Sequence, residues 1–181
     1  MGRALAEAAI ASGHEVVIIS GPVDVSYPDA AQVVNVVSTE EMLDAAQKAF
    51  IECDGAIGVA APCDYRPRRI ADDKLSKTGS PLTLELVETA DVIATIGAEK
   101  NDRWVVGFAL ETEDHRFRAI TKAERKNCDL MVLNSPSAMN SENTEIELIS
   151  PDGTVVGHFH GQKSEVAAKI FAEIQTQLIE R

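Results

Sequence analysis

The chain has 181 residues, of which 45% are apolar and 25% are charged, and its formal net charge is −12. These values fit one globular domain with a sizeable core and do not fit a disordered chain. The acidic balance argues against general binding to nucleic acid or to an anionic membrane. The sequence contains no apolar run of membrane-spanning length and does not open with a signal peptide. Three widely spaced cysteines, Cys53, Cys63 and Cys128, favour a reducing cytoplasm over a disulfide framework or a zinc site.

The first part of the chain alternates between helical and strand-like patterns. The predicted elements are a helix over 2–12, a strand over 15–20, a strand near 33–37, a helix over 38–53 and a strand over 55–61. Apolar residues at helical spacing indicate the helices, and short β-branched runs indicate strands buried on both faces. Ser38 and Glu41 have the spacing of a capping box, which supports a helix start at this point.

The second part continues the alternation and then changes. The predicted elements are a strand over 82–87, a helix over 90–100 capped by Thr89, a strand over 104–110, a helix over 113–127, a strand over 130–134, a hairpin near 144–159 and a helix over 163–181. Strands separated by helices predict a parallel sheet with helices on both faces. We therefore expect a single Rossmann-like, three-layer α/β domain over residues 1–181, with a late antiparallel hairpin at its edge.

The order of the first two elements is unusual for such a fold. Doubly wound domains ordinarily begin with a strand, and a Gly-rich turn links that strand to the first helix. This sequence begins with the helix at Met1-Gly2. We therefore expect the chain to be truncated at its amino end relative to the fold.

Two basic segments stand out against the acidic background. Between Pro62 and Thr78 lie five basic residues and three acidic ones, namely Arg66, Arg68, Arg69, Lys74 and Lys77 against Asp64, Asp72 and Asp73. In the helix over 113–127, Arg118, Lys122 and Lys126 share one face with Arg125. Both segments follow strands, and the carboxyl ends of parallel strands form the usual ligand edge. The pattern favours a small polyanionic ligand, and the alternative is a solvated surface whose charges pair locally.

Other candidate residues give weaker signals. His158 and His160 face the same way along one strand but lack an evident third ligand, so no metal site is expected. Gly58 and Ala60 at the end of one strand allow close approach of a ligand or tight helix packing. Asn134 ends another strand, where it either contacts a ligand or terminates the strand.

Several stretches in order resemble the phosphopantothenate–cysteine ligase family. They are GVAAPCDYRP, KLSK, VVGFALET and KNCDLMVLN, followed by the late NSENTEIELI. The resemblance implies a cytoplasmic, homodimeric enzyme of coenzyme A biosynthesis. It implies that CTP, assisted by Mg²⁺, activates 4′-phosphopantothenate to an acyl-cytidylate, which then forms an amide with cysteine. It also implies a phosphopantothenoylcysteine decarboxylase flavoprotein as a separate partner.

The resemblance assigns roles to individual residues. Lys74 matches the first Lys of a mobile loop over the reacting phosphates and is the one expected catalytic residue. The expected nucleotide contacts are Gly58, Val59, Ala60, Asp64, Lys74, Ala90, Asp91, Val92, Ile93, Phe108, Lys122 and Lys126. The backbone of 90–93 is expected to meet phosphate at a helix N-terminus. Asn134 matches a substrate-binding Asn, and no resident metal site is expected.

The sequence also departs from the family pattern. Ser76 stands where the mobile loop usually has Lys, and Ser135 stands where Asp usually follows Asn134. The family's first strand, its Gly-rich segment and its N-x-S-S-G-K loop are expected to be missing before Met1. An alternative function is therefore a truncated, non-catalytic nucleotide-binding or dimerising remnant of the family. An ATP-using ligase and a nicotinamide-dependent reductase are further alternatives, although the sequence has no dinucleotide fingerprint.

Overall fold

The computed structural model describes residues 1–110, 114–134 and 143–180. Its helices are α1 (Gly2–Ala11), α2 (Thr39–Phe50), α3 (Val92–Ala98), α4 (His115–Arg125) and α5 (Lys163–Ile174), which runs into a π-helical turn, Gln175–Ile179. Its strands are β1 (Val17–Ser20), β2 (Gln32–Asn35), β3 (Gly55–Gly58), β4 (Tyr65–Pro67), β5 (Leu86–Glu88), β6 (Trp104–Leu110), β7 (Leu130–Asn134), β8 (Asn143–Ile149) and β9 (Val155–Gln162).

The strands form three sheets. The central sheet has the order β3-β6-β7-β8-β9, in which β3, β6 and β7 are parallel and the β8–β9 hairpin is antiparallel. Strands β1 and β2 form a parallel pair, and β4 and β5 form a short antiparallel ribbon. The Rossmann-like α/β architecture with a late hairpin is confirmed, because helices cover both faces of a mostly parallel sheet.

Two apolar clusters cover the two faces of the central sheet. One face packs on α2, α3 and α4, and the other packs on α1 and α5. Alternate residues of β6 divide between these clusters: Val105 and Ala109 join the first, whereas Val106 and Phe108 join the second. A strand buried on both sides reads as a continuous apolar run, and this is the pattern that identified β6 in the sequence.

The predicted elements form, but several of their boundaries differ: the strand predicted over 55–61 ends at Gly58, and the last α-helix ends at Ile174. The capping box of Ser38 and Glu41 is formed as predicted. Thr89 does not cap α3: its backbone N–H donates to Asp64 O and its hydroxyl donates to Cys63 O, so it still belongs to the ribbon. The predicted strand over 82–87 shrinks to β5. Its partner β4 ends at Pro67, and one further backbone hydrogen bond, from Arg68 N–H to Glu85 O at 2.9 Å, extends the ribbon.

Residues 60–86 form a projecting segment that we call the arm. Every residue in it is exposed. It contains β4 and the start of β5, and it connects β3 to α3. Large apolar side chains are exposed along the arm, including Ile70 at 86% and Leu82 at 68%. Among the residues that the structure describes, no helix is long and apolar enough to cross a membrane.

Candidate functional site

The carboxyl end of β3 lies directly against α3. A Cβ atom built on Gly58 would lie 2.3 Å from both Cδ1 and Cγ1 of Ile93. Only glycine therefore allows Ile93 to pack this closely on the strand. The structure thus brings together two predicted nucleotide contacts, at the sheet edge where α/β domains bind their ligands.

Asp91 begins α3 and joins it to the last turn of α4. Its Oδ1 accepts a hydrogen bond from Ala94 N–H at 3.1 Å, which caps the helix. Its Oδ2 lies 3.0 Å from Lys126 Nζ and 3.8 Å from Arg125 Nη2. We call Asp91, Arg125 and Lys126 the Asp91 cluster. Burial by itself raises the pKa of Asp91, but the Ala94 hydrogen bond and Lys126 outweigh it and hold the pKa below its usual range.

Lys126 contacts both ends of α3, through its backbone carbonyl at one end and its side-chain ammonium at the other. Its carbonyl oxygen lies against Gly97, where a built Cβ would approach to 1.9 Å. Next to it, Asn127 Nδ2 donates to Gly97 O at 2.8 Å. The Lys126 side chain is 22% exposed, and its ammonium reaches Asp91 at the other end of α3. Lys122, one turn earlier on α4, is half-buried.

Phe108 lies on the opposite face of the sheet from Lys126. Its ring packs with the α1–α5 cluster, together with Val59 at the end of β3. Ile93 instead packs with the α2–α4 cluster. The predicted nucleotide contacts therefore divide between the two faces, with the backbone ends of β3 and β6 between them. A ligand that touches both groups would have to lie across the carboxyl edge of these strands.

The arm carries the remaining predicted contacts. Asp64 and Lys74 are exposed on it. Two of its arginines are held by acids: Arg66 pairs with Glu40 at the start of α2, and Arg68 pairs with Glu85 across the ribbon. Both arginines are thus paired with acids of the chain, Arg68 within the ribbon and Arg66 with α2.

Asn134 lies beside an open depression of about 550 Å³ rather than in the Asp91 cluster. Its Oδ1 accepts a hydrogen bond from Thr144 Oγ1 at 3.3 Å. The depression is lined by Asp114, Arg116, Phe117, Leu133, Asn134, Glu145, Ile146, Glu147 and His158. Three carboxylates against one guanidinium make it unsuitable for a phosphate group. The Asp91 cluster has the opposite balance, with two cations around one carboxylate.

The described residues provide no ready-made metal centre. Among 1–110, 114–134 and 143–180, no group of three or more His, Cys, Asp or Glu side chains is placed to hold a metal ion. His158, which the sequence offered as a weak metal candidate, instead contacts Glu145 at 2.9 Å.

The ion pair between Asp91 and Lys126 was not anticipated from the sequence. The sequence did place Asp91 just before an apolar helical segment, which is the ordinary signal of an N-cap. It gave no sign that a residue 35 positions later would reach the same carboxylate. That pairing depends on how α3 packs against α4.

Comparisons with known proteins agree with the fold. The family model of the DNA/pantothenate metabolism flavoprotein C-terminal domain matches residues 1–178. The coenzyme A biosynthesis bifunctional protein CoaBC of Vibrio parahaemolyticus is 39% identical over 160 residues, which is 84% of this chain and 40% of that protein. A cysteine/cysteine sulfinic acid decarboxylase from an unknown prokaryotic organism is also 39% identical, over 97% of this chain and 51% of that protein.

The fold comparison points to the same domain. The crystal structure of the C-terminal domain of CoaBC has a TM-score of 0.83 and 29% identity, and the match covers 99% of this chain and 83% of that one. The chain spans about half or less of the length of the two curated relatives. Because the family model covers nearly the whole chain, the chain belongs to the DNA/pantothenate metabolism flavoprotein C-terminal domain family.

Proposed function

We propose that the chain is the ligase domain of coenzyme A biosynthesis and that it joins 4′-phosphopantothenate to cysteine at the expense of CTP. The observation that carries the proposal is the family match over residues 1–178, together with relatives named as coenzyme A biosynthesis proteins. In the first step a substrate carboxylate oxygen attacks the α-phosphorus of CTP and pyrophosphate leaves. In the second step the cysteine amine attacks the acyl carbon, CMP leaves, and the nitrogen loses a proton.

The Asp91 cluster supports the nucleotide part of the proposal. Two cations and one carboxylate leave this cluster with one net positive charge in a chain of net charge −12. A local positive site on an acidic protein attracts a polyanion selectively. We propose that Lys122 and Lys126 hold the triphosphate, and that Gly58, Val59, Ala60 and Phe108 border the nucleoside. We also assign nucleotide contacts to Asp64 and to the backbone of 90–93.

Lys74 is proposed to supply charge at the reacting phosphate. It lies on the exposed arm, so its position depends on ligand binding and not on core packing. A cation close to the α-phosphate stabilises the charge that develops there, and one such donor typically contributes about 100-fold or more in rate. We further propose that Asn134 contacts the acyl substrate, because it ends β7 beside the carboxyl end of β6.

Magnesium is proposed to arrive with the nucleotide. Mg²⁺ is usually bound through substrate phosphates, water and one or two carboxylates, so it does not require a dedicated protein cage. When bound, the ion neutralises phosphate charge. The chain's own contribution would be the lysines that orient the same phosphates.

The arm is proposed to pair with a second copy of the chain. Exposed leucine and isoleucine side chains along one segment are typical of a buried interface. They are Ile70, Leu75, Leu82, Leu84 and Leu86. The proposed homodimer would act with a phosphopantothenoylcysteine decarboxylase flavoprotein.

Three free cysteines fit a reducing cytoplasm, which is the compartment that we propose.

The nucleotide assignment is tested by calorimetry with the 181-residue chain in the presence of Mg²⁺. We expect CTP to bind more tightly than ATP or GTP, and equal affinity for all three would contradict cytosine selection.

Lys74→Ala is expected to weaken CTP binding or lower turnover, with little change in the melting temperature. Lys77→Ala is the matched control on the same exposed loop and should have the smaller effect. A large loss of stability with unchanged binding would make Lys74 a structural residue.

A further inference from the structure

The Asp91 carboxylate lies among cations that a bound polyphosphate would also need. Its two oxygens have different partners: Oδ1 accepts from Ala94 N–H, whereas Oδ2 faces Lys126 at 3.0 Å and Arg125 at 3.8 Å. Lys126 is 22% exposed and Arg125 is 66% exposed. The less exposed cation is therefore already neutralised by a carboxylate of the chain itself.

The packing around Lys126 restricts how the ammonium can leave Asp91. The carbonyl of Lys126 lies against Gly97, and Asn127 is hydrogen-bonded to Gly97 O. The backbone of this segment is thus fixed to the far end of α3. A ligand phosphate that approaches Lys126 must share its three N–H donors with Asp91 or displace the carboxylate. In both cases the negative charge of Asp91 lies next to the negative charge of the ligand.

We propose that Asp91 is an internal counter-anion that competes with polyphosphate for Lys126 and Arg125 and thereby weakens nucleotide binding. The inference rests on the proposed nucleotide site. Neutralising the carboxylate raises the net charge of the Asp91 cluster from one positive charge to two. Asp91 thus acts on affinity through Lys126, and it is a positioning residue and not a catalytic one.

Asp91→Asn separates this electrostatic role from the capping role. Asparagine is about as good an N-cap as aspartate, and its Oδ1 can still accept from Ala94 N–H. The substitution removes the charge and replaces the Oδ2 acceptor with an N–H donor, but it keeps the cap, so the fold should remain intact. Glu7→Gln is the matched control, because it removes one charge from an exposed Glu–Arg pair on α1, across the sheet from the cluster.

The experiment measures binding of inorganic triphosphate, and separately of CTP with Mg²⁺, by calorimetry. Removing a unit negative charge about 4 Å from the binding cations should tighten binding about fivefold or more, even with water-like screening. We expect that gain in Asp91→Asn, no gain in Glu7→Gln, and a loss of binding in Lys126→Met. We also expect the Asp91→Asn gain to shrink as salt concentration rises.

The outcomes distinguish the inference from the proposed function. If the wild-type chain binds triphosphate and CTP but Asp91→Asn binds them equally or more weakly, the counter-anion role is wrong and the nucleotide site remains. If a folded wild-type chain and a folded Asp91→Asn variant both fail to bind either ligand, the nucleotide site is wrong and the inference fails with it.

Discussion

The guanidinium of Arg103 lies 4.1 Å from the centre of the Phe50 ring, at the point where α2 ends. The same group donates hydrogen bonds to the carbonyl oxygens of Phe50, Glu99 and Lys100. One side chain therefore satisfies carbonyl groups at the ends of two helices, α2 and α3. It fixes the far end of α3, whose first residues belong to the candidate site.

Arg103→Ala is expected to lower the free energy of unfolding by about 2 kcal/mol, because it removes charge-assisted hydrogen bonds and a cation–π contact. Arg103→Lys keeps the charge but loses the planar fork that reaches several carbonyls, so it should recover only part of this loss. Urea unfolding followed by circular dichroism measures both variants. Full stability in Arg103→Lys would show that charge alone is sufficient.

Gly97→Ala is expected to disturb the contact between α3 and the end of α4. The added methyl group would lie 1.9 Å from the Lys126 carbonyl oxygen, which is a backbone atom and cannot rotate away. We expect a loss of about 2 kcal/mol or more in unfolding free energy, as for other overpacked sites. Gly21→Ala is the control, since its nearest neighbour would be Met42 Cε at 4.0 Å. Equal stability of the two variants would contradict the packing that fixes Lys126.

The three cysteines are expected to react with iodoacetamide at very different rates. Cys63 is exposed and should be modified first, whereas Cys128 is buried beside Gly107. Burial raises the pKa of the Cys128 thiol to about 11. Mass spectrometry of the modified peptides should show Cys128 labelled only after unfolding. Labelling of Cys128 as fast as Cys63 would contradict its burial.

The raised pKa of Cys128 also predicts a change of stability with pH. A thiol has a pKa of about 8.5 when unfolded, so between about pH 8.5 and 11 the native state holds a proton that the unfolded state releases. The contribution of the protonated Cys128 thiol to the free energy of unfolding is complete below this pH range and is lost as pH rises through it. Cys128→Ala should show a shallower loss of stability across this range, measured by urea unfolding at several pH values. An identical slope would contradict the prediction.

Asp91 should change the pH dependence of stability in the opposite direction, with the loss occurring in acid. The pKa of Asp91 is depressed in the native state. Its contribution to the free energy of unfolding is therefore present above about pH 4, which is the ordinary pKa of aspartate. That contribution is lost as pH falls through the lower native pKa. Because the carboxylate is partly exposed, we expect an effect below about 1 kcal/mol. Asp91→Asn should remove this part of the acid dependence, and thermal unfolding between pH 2 and 6 measures it.

Charged substitutions in the arm are expected to weaken self-association. Ile70 is 86% exposed in the single chain, and burying such a side chain contributes about 1.5–3 kcal/mol. Ile70→Glu should therefore raise the dimer dissociation constant about tenfold or more. Sedimentation velocity measures this change, with Val37→Glu as a control at an exposed position outside the arm. A monomeric wild-type chain would contradict the proposed homodimer.

The sequence predicted the elements whose signals are local. Ser38 and Glu41 are three residues apart, so their capping box is visible in the sequence. Likewise β6 is an uninterrupted apolar run, and the β8–β9 turn contains Pro151-Asp152-Gly153. These features depend on neighbours within a few residues, which is why pattern reasoning found them.

The relationships that define the candidate site are not local. The Asp91–Lys126 ion pair joins residues on two different helices, and the close contact of Gly58 with Ile93 depends on how α3 lies on β3. The division of Phe108 and Ile93 between opposite faces of the sheet likewise follows from packing. Sequence patterns and the family resemblance named these residues individually but contained no information on their mutual distances.

The most direct test of the proposed ligase activity incubates the protein with Mg²⁺, 4′-phosphopantothenate, cysteine and CTP. Mass spectrometry follows 4′-phosphopantothenoylcysteine, and a coupled assay follows pyrophosphate. We predict that product and CMP form in equal amounts, that both require CTP, and that pyrophosphate appears before cysteine is added. Failure of a folded protein to form product from CTP, or product formation with ATP as fast as with CTP, would contradict the proposed function.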